Sequence, residues 1–333
     1  MAAGAKPPIL VCGGGAIGRR HIGNLLQLGA PVIGWRARAE KTEEMAREFG
    51  IPTMLDLDEA IEAASAVVVA TATDRHMEPA LKALRAGKPL FLEKPVSHDR
   101  AGVDELAALA QGKMVEVGCQ LRAHPSLTAL RDRLAGPAKI AGYRLVMGQR
   151  LDEWRPDSDY RQGYSADAAR GGGALFDLVH QIDLALWLFG PVRQVAAMLD
   201  KQSDLAIAGD DFSSLMLRHA DGTVGQIQLD MVSPAYRGAA EVVTLEDVFD
   251  WSLATGTLTR RRGEESEIVA RVPDGFQRND LFLAHMRHFL SRLDDPALPP
   301  LCPLSDGIAA LDIMLAARKS HAEERFVTLE TAR

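Results

Sequence analysis

The sequence predicts an α/β chain: a doubly wound parallel sheet first, then an α+β region built on a mostly antiparallel sheet. Three observations predict it. From residue 9 to 117, short apolar runs alternate with segments of helical period. The run Ala66-Val67-Val68-Val69-Ala70 is bare of polar residues, as in a strand covered on both faces. After Arg122 the alternation gives way to successive strand-like runs, two of them joined by the hairpin signal Asp221-Gly222.

Taken in order, residues 9–12 read as a strand. Residues 17–28 follow as a helix, with Ile22, Leu25 and Leu26 on one face and Gly29 at its end. Residues 32–35 are a second strand and 40–49 a helix; Asp56 is placed to cap another helix that runs through Ala64. Strands at 66–70, 89–92 and 114–117 are separated by helices at 75–86 and 99–110, which implies parallel βαβ units. A helix at 124–134 and a strand at 140–147 come next. Residues 151–170 are polar, charged and aromatic without a period. The glycines 171–173 open a long apolar helix through Phe189. Strands are expected at 192–199, 212–217, 224–231, 241–245 and 248–253, and closing helices at 281–293 and 304–319. The break in rhythm at 120–123 divides the chain into domains of residues 1–121 and 122–333.

The bulk properties narrow the function classes. A chain of 333 residues has the length of about two domains, and 47% hydrophobic residues allow a sizeable core. A net charge of -7 with no basic run excludes nucleic-acid binding through a basic surface. Cys12, Cys119 and Cys302 are far apart, which argues against a disulfide framework and a structural zinc site. No metal is expected: His124, Asp177, His180 and Asp183 form no recognised ligand motif. The apolar runs are shorter than a membrane span, and residues 1–8 lack the apolar stretch of a secretion signal. A cytoplasmic protein without a membrane partner is the expectation.

Gly13-Gly14-Gly15-Ala16-Ile17-Gly18 spells GxGxxG between the first strand and first helix. In that context the pattern signifies a Rossmann dinucleotide site, where backbone amides approach a pyrophosphate at the positive end of a helix. A tight turn without a ligand is the competing reading. At the end of the second strand, where NAD sites usually carry a carboxylate, stands Trp35-Arg36-Ala37-Arg38. Arg36 and Arg38 suit a 2′-phosphate through charge-assisted hydrogen bonds, so NADP(H) is favoured over NAD(H). Two solvated loop arginines are the alternative. Thr71, Thr73 and His76, after the 66–70 strand, are candidates to touch the cofactor, with Thr73 as a helix cap the other possibility.

Three landmarks stand in order: Gly13–Gly18, Glu93-Lys94-Pro95 directly after a strand, and Gly171-Gly172-Gly173-Ala174-Leu175-Phe176-Asp177 leading to His180. Together they resemble the glucose-fructose oxidoreductase / inositol dehydrogenase (Gfo/Idh/MocA) family over nearly the whole chain. The resemblance implies a Rossmann domain followed by a domain with a large open sheet. It also implies redox chemistry at a secondary alcohol of a sugar or cyclitol, and adds Glu93 and Gln120 to the cofactor-binding set. Residues 120–125, 154–156, 159–161 and 164–166 are similar to a branch found with bacterial surface-polysaccharide and amino-sugar genes.

Alcohol oxidation needs a base and an orienting donor from the protein. Lys94, past a strand at the carboxyl edge of the sheet, is expected to polarise the reacting oxygen; its family counterpart lies beside the nicotinamide. Asp177 and His180, three apart, share a helix face, giving His180 as base and Asp177 as its orienter or relay. The family pattern usually sets the histidine four residues on, which leaves a lysine-based mechanism open. A solvated histidine on an ordinary amphipathic helix is the bland reading. Asp183 continues the stripe as a substrate contact or a buried structural pair. Arg155, Tyr160, Arg161 and Tyr164 in the irregular stretch are candidate substrate contacts for an anionic carbohydrate. A glycosidase working by transient oxidation, or a dinucleotide sensor without turnover, are the alternative functions. A homodimer or homotetramer through the open sheet face is expected.

Overall fold

The computed structural model describes residues 7–154 and 159–329. The chain divides into two compact units, one of Met1–Gln120 with Gln277–Gly307, the other of Leu121–Phe276 with Ile308–Arg333.

In the first unit β1 (Ile9–Cys12), β2 (Val32–Trp35), β3 (Thr53–Met54), β4 (Ala66–Val69), β5 (Leu90–Leu92) and β6 (Val115–Val117) form one parallel sheet in the order β3-β2-β1-β4-β5-β6. The switch point of the winding therefore lies between β1 and β4, where open α/β sheets bind ligands at their carboxyl ends. Helices α1 (Ala16–Gln27), α2 (Ala39–Phe49), α3 (Leu57–Ala63), α4 (Met77–Arg85) and α5 (Val103–Leu109) connect the strands. Ile22 and Leu25 of α1 join Val11, Val68 and Phe91 in the core. Asp56 caps α3 as expected, accepting from Glu59 N at 2.9 Å. The two-residue β3 has no apolar run to announce it.

In the second unit α6 (Pro125–Leu134) precedes β7 (Ile140–Gly148). Four 3-10 turns, Leu151–Glu153, Tyr160–Gln162, Tyr164–Ala166 and Ala168–Arg170, lead to α7 (Ala174–Asp177) and α8 (His180–Phe189). The expected single helix through Phe189 is thus two: Leu178 leaves helical geometry at ψ 26°, ending α7 there. Strands β8 (Val192–Asp200), β9 (Phe212–His219), β10 (Val224–Asp230), β11 (Arg237–Thr244), β12 (Val248–Ser252), β13 (Thr257–Arg262), β14 (Glu265–Arg271) and β15 (Val327–Thr328) follow. With β7 they build a sheet ordered β14-β13-β12-β11-β7-β10-β9-β8-β15, antiparallel except for β7 with β10. Leu215, Leu217, Ile227, Leu145 and Trp251 are buried on the face that α6, α7 and α8 pack against. The Tyr143 ring lies on Gly225, its register partner, where a Cβ would come within 1.9 Å. It stacks on Phe189 at 3.9 Å and donates its hydroxyl to His219 Nε2 at 2.7 Å. Strands β13 and β14 escape an apolar-pattern reading because ion pairs hold them: Arg260 and Arg262 donate to Asp247, Arg261 to Asp250, and Arg260 also to Glu267 of β14.

Helix α9 (Arg278–Asp294) belongs with the first unit, and α10 (Leu304–Glu323) follows it. A division at 121/122 therefore misses the return of residues 277–307, for which there is a physical reason. Met286 and Phe289 complete the core under Phe91. His285 and Arg292 reach the carboxylate of Glu116, which β6 buries completely. His285 Nε2 lies 2.9 Å from Oε1, Arg292 donates to Oε2 at 2.8 Å, and Leu301 N donates to Oε1 at 3.2 Å. Burial works against the charge, but these partners hold the carboxyl below its usual range.

A depressed carboxyl contributes stability that is present above its unfolded pKa of about 4.3 and lost as pH falls through the folded value. Glu116→Gln, which strands Arg292, should cost about 3–5 kcal/mol at neutral pH. The loss should shrink as the pH falls below the folded value; urea midpoints at several pH values measure this.

Candidate active site

The turn after β1 is shaped by what cannot be there. Gly13 adopts φ +115°, and a Cβ on it would lie 2.3 Å from Ala70 O at the end of β4. A Cβ on Gly18 would lie 2.3 Å from Gly13 O. Gly15, by contrast, has nothing within 4 Å of its Cβ position and is exposed together with Ala16; Ile17 is half-buried. Gly15 is also the N-cap of α1, with no side-chain cap and no acid in the first turn. Helix N–H groups thus open onto an uncovered backbone, the arrangement a pyrophosphate fits.

Beside it, the stem of Arg36 covers Gly14, whose Cβ would come within 2.8 Å of Arg36 Cδ. Thr42 Oγ1, 3.1 Å from both, can donate to either carbonyl of Arg36 and Arg38, anchoring the loop. Arg36 is half-buried and Arg38 exposed. Burial depresses the Arg36 guanidinium, as do Arg19 and Arg38, with Glu44 and Glu48 opposing.

The second part of the edge is the turn after β5. The Lys94–Pro95 peptide is cis. Glu93 is buried: its Oε1 lies 2.7 Å from His21 Nε2 of α1, and its Oε2 accepts from Lys94 N at 3.2 Å. Burial opposes its ionisation, yet the His21 hydrogen bond and the Lys94 ammonium keep the carboxyl below its ordinary value. Lys94 itself is half-buried. His76 is 1% exposed, with Nδ1 at 2.9 Å from Pro95 O and Nε2 at 3.2 Å from Thr71 O. Burial lowers its pKa. Its two ring nitrogens thus tie these two loops together. Thr71 Oγ1 donates to Arg75 O; Thr73 is buried and caps no helix. Gln120 is buried where the first unit ends.

In the second unit, Asp177 ends α7 and His180 begins α8, at 4% and 8% exposure. The stripe is therefore buried, unlike a solvated amphipathic face. Asp183 is a structural pair, held bidentately by Arg122 with the shortest contact at 2.7 Å. His124 caps α6, its pKa pushed down to about 4 by burial. Of the candidate substrate contacts, Arg161 is exposed and paired with Asp159 at 2.7 Å, Tyr160 Oη accepts from Ala206 N, and Tyr164 is half-buried. Arg155 lies outside the described residues.

Asp210 escaped the sequence reading. Its Oδ2 accepts from Leu175 N at 2.9 Å and its carbonyl from Ala174 N at 2.9 Å, which pins the first turn of α7. A Cβ on Gly173 would strike its Oδ1 at 2.5 Å. Only the adjacent acids Asp210-Asp211 before β9 hinted at it.

Two family models match this chain: the oxidoreductase family with an NAD-binding Rossmann fold over residues 8–120, and the GFO/IDH/MocA C-terminal domain over residues 140–246. The chain belongs to the Gfo/Idh/MocA oxidoreductase family. An inositol 2-dehydrogenase of Rhizobium meliloti (strain 1021) is 27% identical over 296 residues, 81% of this chain and 83% of that protein. GenD2 from gentamicin A biosynthesis, solved in complex with NAD, superposes with a TM-score of 0.83 at 23% identity, covering 99% and 98% of the two chains. A UDP-N-acetylglucosamine 3-dehydrogenase from Acidithiobacillus ferrooxidans gives a TM-score of 0.79 at 21% identity, covering 96% and 99%. At these identities the likeness to the solved structures is one of fold. The protein is a nicotinamide-dependent oxidoreductase, and none of its described helices is long and apolar enough to cross a membrane.

The glycine geometry separates two substitutions. Gly15→Ala should fold normally but weaken dinucleotide binding by about tenfold, roughly 1.4 kcal/mol. Gly13→Ala should lower the melting temperature, since its contact is with backbone. Thermal melts and cofactor titration of both variants check this.

Proposed function

We propose that the enzyme is an NADP(H)-preferring dehydrogenase interconverting a secondary alcohol and a ketone on a sugar, amino sugar, sugar nucleotide or cyclitol. The observation that carries this reading is the Glu93-Lys94-Pro95 turn: a lysine at the carboxyl edge of the sheet, its main chain fixed by a buried carboxylate. The inositol dehydrogenase relative supports a polyhydroxylated ring as substrate. Members with sugar-nucleotide substrates share the fold.

A bound nicotinamide supplies the hydride acceptor or donor. The protein handles the proton. Lys94 donates to the reacting oxygen and stabilises the negative charge that grows on it as the hydroxyl proton leaves. His180 takes the hydroxyl proton, and Asp177 orients its ring or relays the proton onward. Tyr160 and Tyr164 border the substrate. Arg161 contributes less than its charge implies because Asp159 already satisfies it.

The NADP(H) preference is supported by Arg36 and Arg38 standing just past the end of β2, where NAD sites usually carry a carboxylate. The uncovered sheet face supports a homodimer or homotetramer, with Met198 at 66% and Met216 at 46% exposure on neighbouring strands.

A panel of cyclitols, sugars, amino sugars and sugar nucleotides, incubated with each oxidised cofactor, should change nicotinamide absorbance for at least one member. Lys94→Ala should lower that turnover by about 10²–10⁴-fold while leaving cofactor affinity nearly unchanged. Unchanged turnover would remove Lys94 from the chemistry. A tenfold tighter binding of NADH than NADPH would reverse the cofactor preference.

A further inference from the structure

Helix α1 packs on the sheet through Ile22 and Leu25, and an apolar residue would serve at position 21 equally well. Instead it buries an imidazole at 2% exposure, which is costly unless the ring is hydrogen-bonded. His21 Nε2 meets that requirement on Glu93 Oε1 at 2.7 Å. Its Nδ1 has no partner among the described residues, so a proton there would be a buried, unsatisfied donor. The hydrogen bond is therefore assigned to Nε2–H donating to the carboxylate.

Both partners are held in place. Edge contacts with Phe91 at 5.3 Å and Phe282 at 6.4 Å fix the plane of the imidazole. The Glu93 carboxyl group occupies the space that a side chain at position 118 would need, 2.8 Å from where a Cβ on Gly118 would lie. Its second oxygen accepts from the backbone N–H of Lys94. The pair thus connects the helix whose N-terminus opens onto the pyrophosphate site with the residue that bears the amine.

We propose that His21 is a positioning residue for Lys94, acting through Glu93, so that one helix references both the cofactor phosphates and the amine. This rests on Lys94 being the group that donates to the reacting oxygen. His21 contacts neither substrate nor the reacting atoms. Its contribution is to keep the Glu93 carboxylate, and with it the start of the lysine turn, in one orientation. A misplacement of that size near a reacting centre costs about tenfold to a hundredfold in rate.

The test compares His21→Leu, which keeps bulk but loses the donor, with His21→Gln, which restores an N–H. For each, kcat, dinucleotide Kd, melting temperature and the rate of Lys94 acetylation by acetic anhydride, read by mass spectrometry, are measured. His21→Leu should lower kcat by about tenfold or more, hold Kd within threefold and change the acetylation rate of Lys94 alone among the lysines. His21→Gln should recover most of both losses. Wild-type kcat and labelling in His21→Leu would overturn the proposal. So would a loss of kcat accompanied by loss of cofactor binding and not rescued by glutamine. If His21→Leu does not fold, His21→Met takes its place, with the same changes expected and the same results overturning the proposal. The labelling does not depend on turnover. An active Lys94→Ala enzyme would therefore remove the catalytic reading of the lysine, while the acetylation rates still decide whether His21 positions it.

Discussion

The first unit depends on how closely two stretches of backbone approach at Gly13. Parallel strands β1 and β4 are neighbours, and the chain must leave β1 beside the carbonyl of Ala70. Only a residue without a Cβ fits, and its φ of +115° is one that other residues rarely adopt. Gly18 meets the same limit against Gly13 O, so α1 starts tight against the strand it follows. That start leaves helix N–H groups facing open space at Gly15. It also sets which residues of α1 turn inward, and His21 is among them.

A second regularity follows from packing. The first unit buries two carboxylates, Glu93 and Glu116, and each is matched by a histidine on a helix, His21 of α1 and His285 of α9. Phe91 sits edge-on to both rings, at 5.3 and 5.0 Å. Each pair satisfies charge inside a core that an aliphatic residue would fill at lower cost. One pair secures residues 277–307 to the sheet; the other secures the lysine turn. A related pattern appears in the second unit, where buried Arg122 with Asp183, and half-buried Asp210 with the start of α7, are polar fastenings around the helix pair that carries Asp177 and His180.

The parallel sheet was legible because βαβ units repeat a period, and β4 is wholly apolar. The glycine turn was legible because its constraint is steric and local. The hairpin at Asp221-Gly222 was legible for the same reason, with Gly222 at φ +93°. Less visible were features that depend on partners distant in sequence. Strands β13 and β14 are held by cross-strand ion pairs, so they show no apolar alternation. The membership of α9 in the first unit turns on Glu116, a charged residue inside a buried strand. The bridge that the His76 ring makes between Thr71 and Pro95 also had no sequence signal. Asp183 could be read two ways until Arg122 settled it. Asp210 had no pattern of its own, since its task is to meet backbone from residues 174 and 175.

Competition binding reads out whether the α1 N-terminus at Gly15 holds a pyrophosphate. NADPH bound to the enzyme is titrated with ADP, which keeps the pyrophosphate, and with adenosine, which lacks it. ADP should displace the dinucleotide, and adenosine should compete at least about a hundredfold more weakly, some 2.7 kcal/mol. Equal competition by adenosine and ADP would mean that the glycine turn does not bind the phosphates.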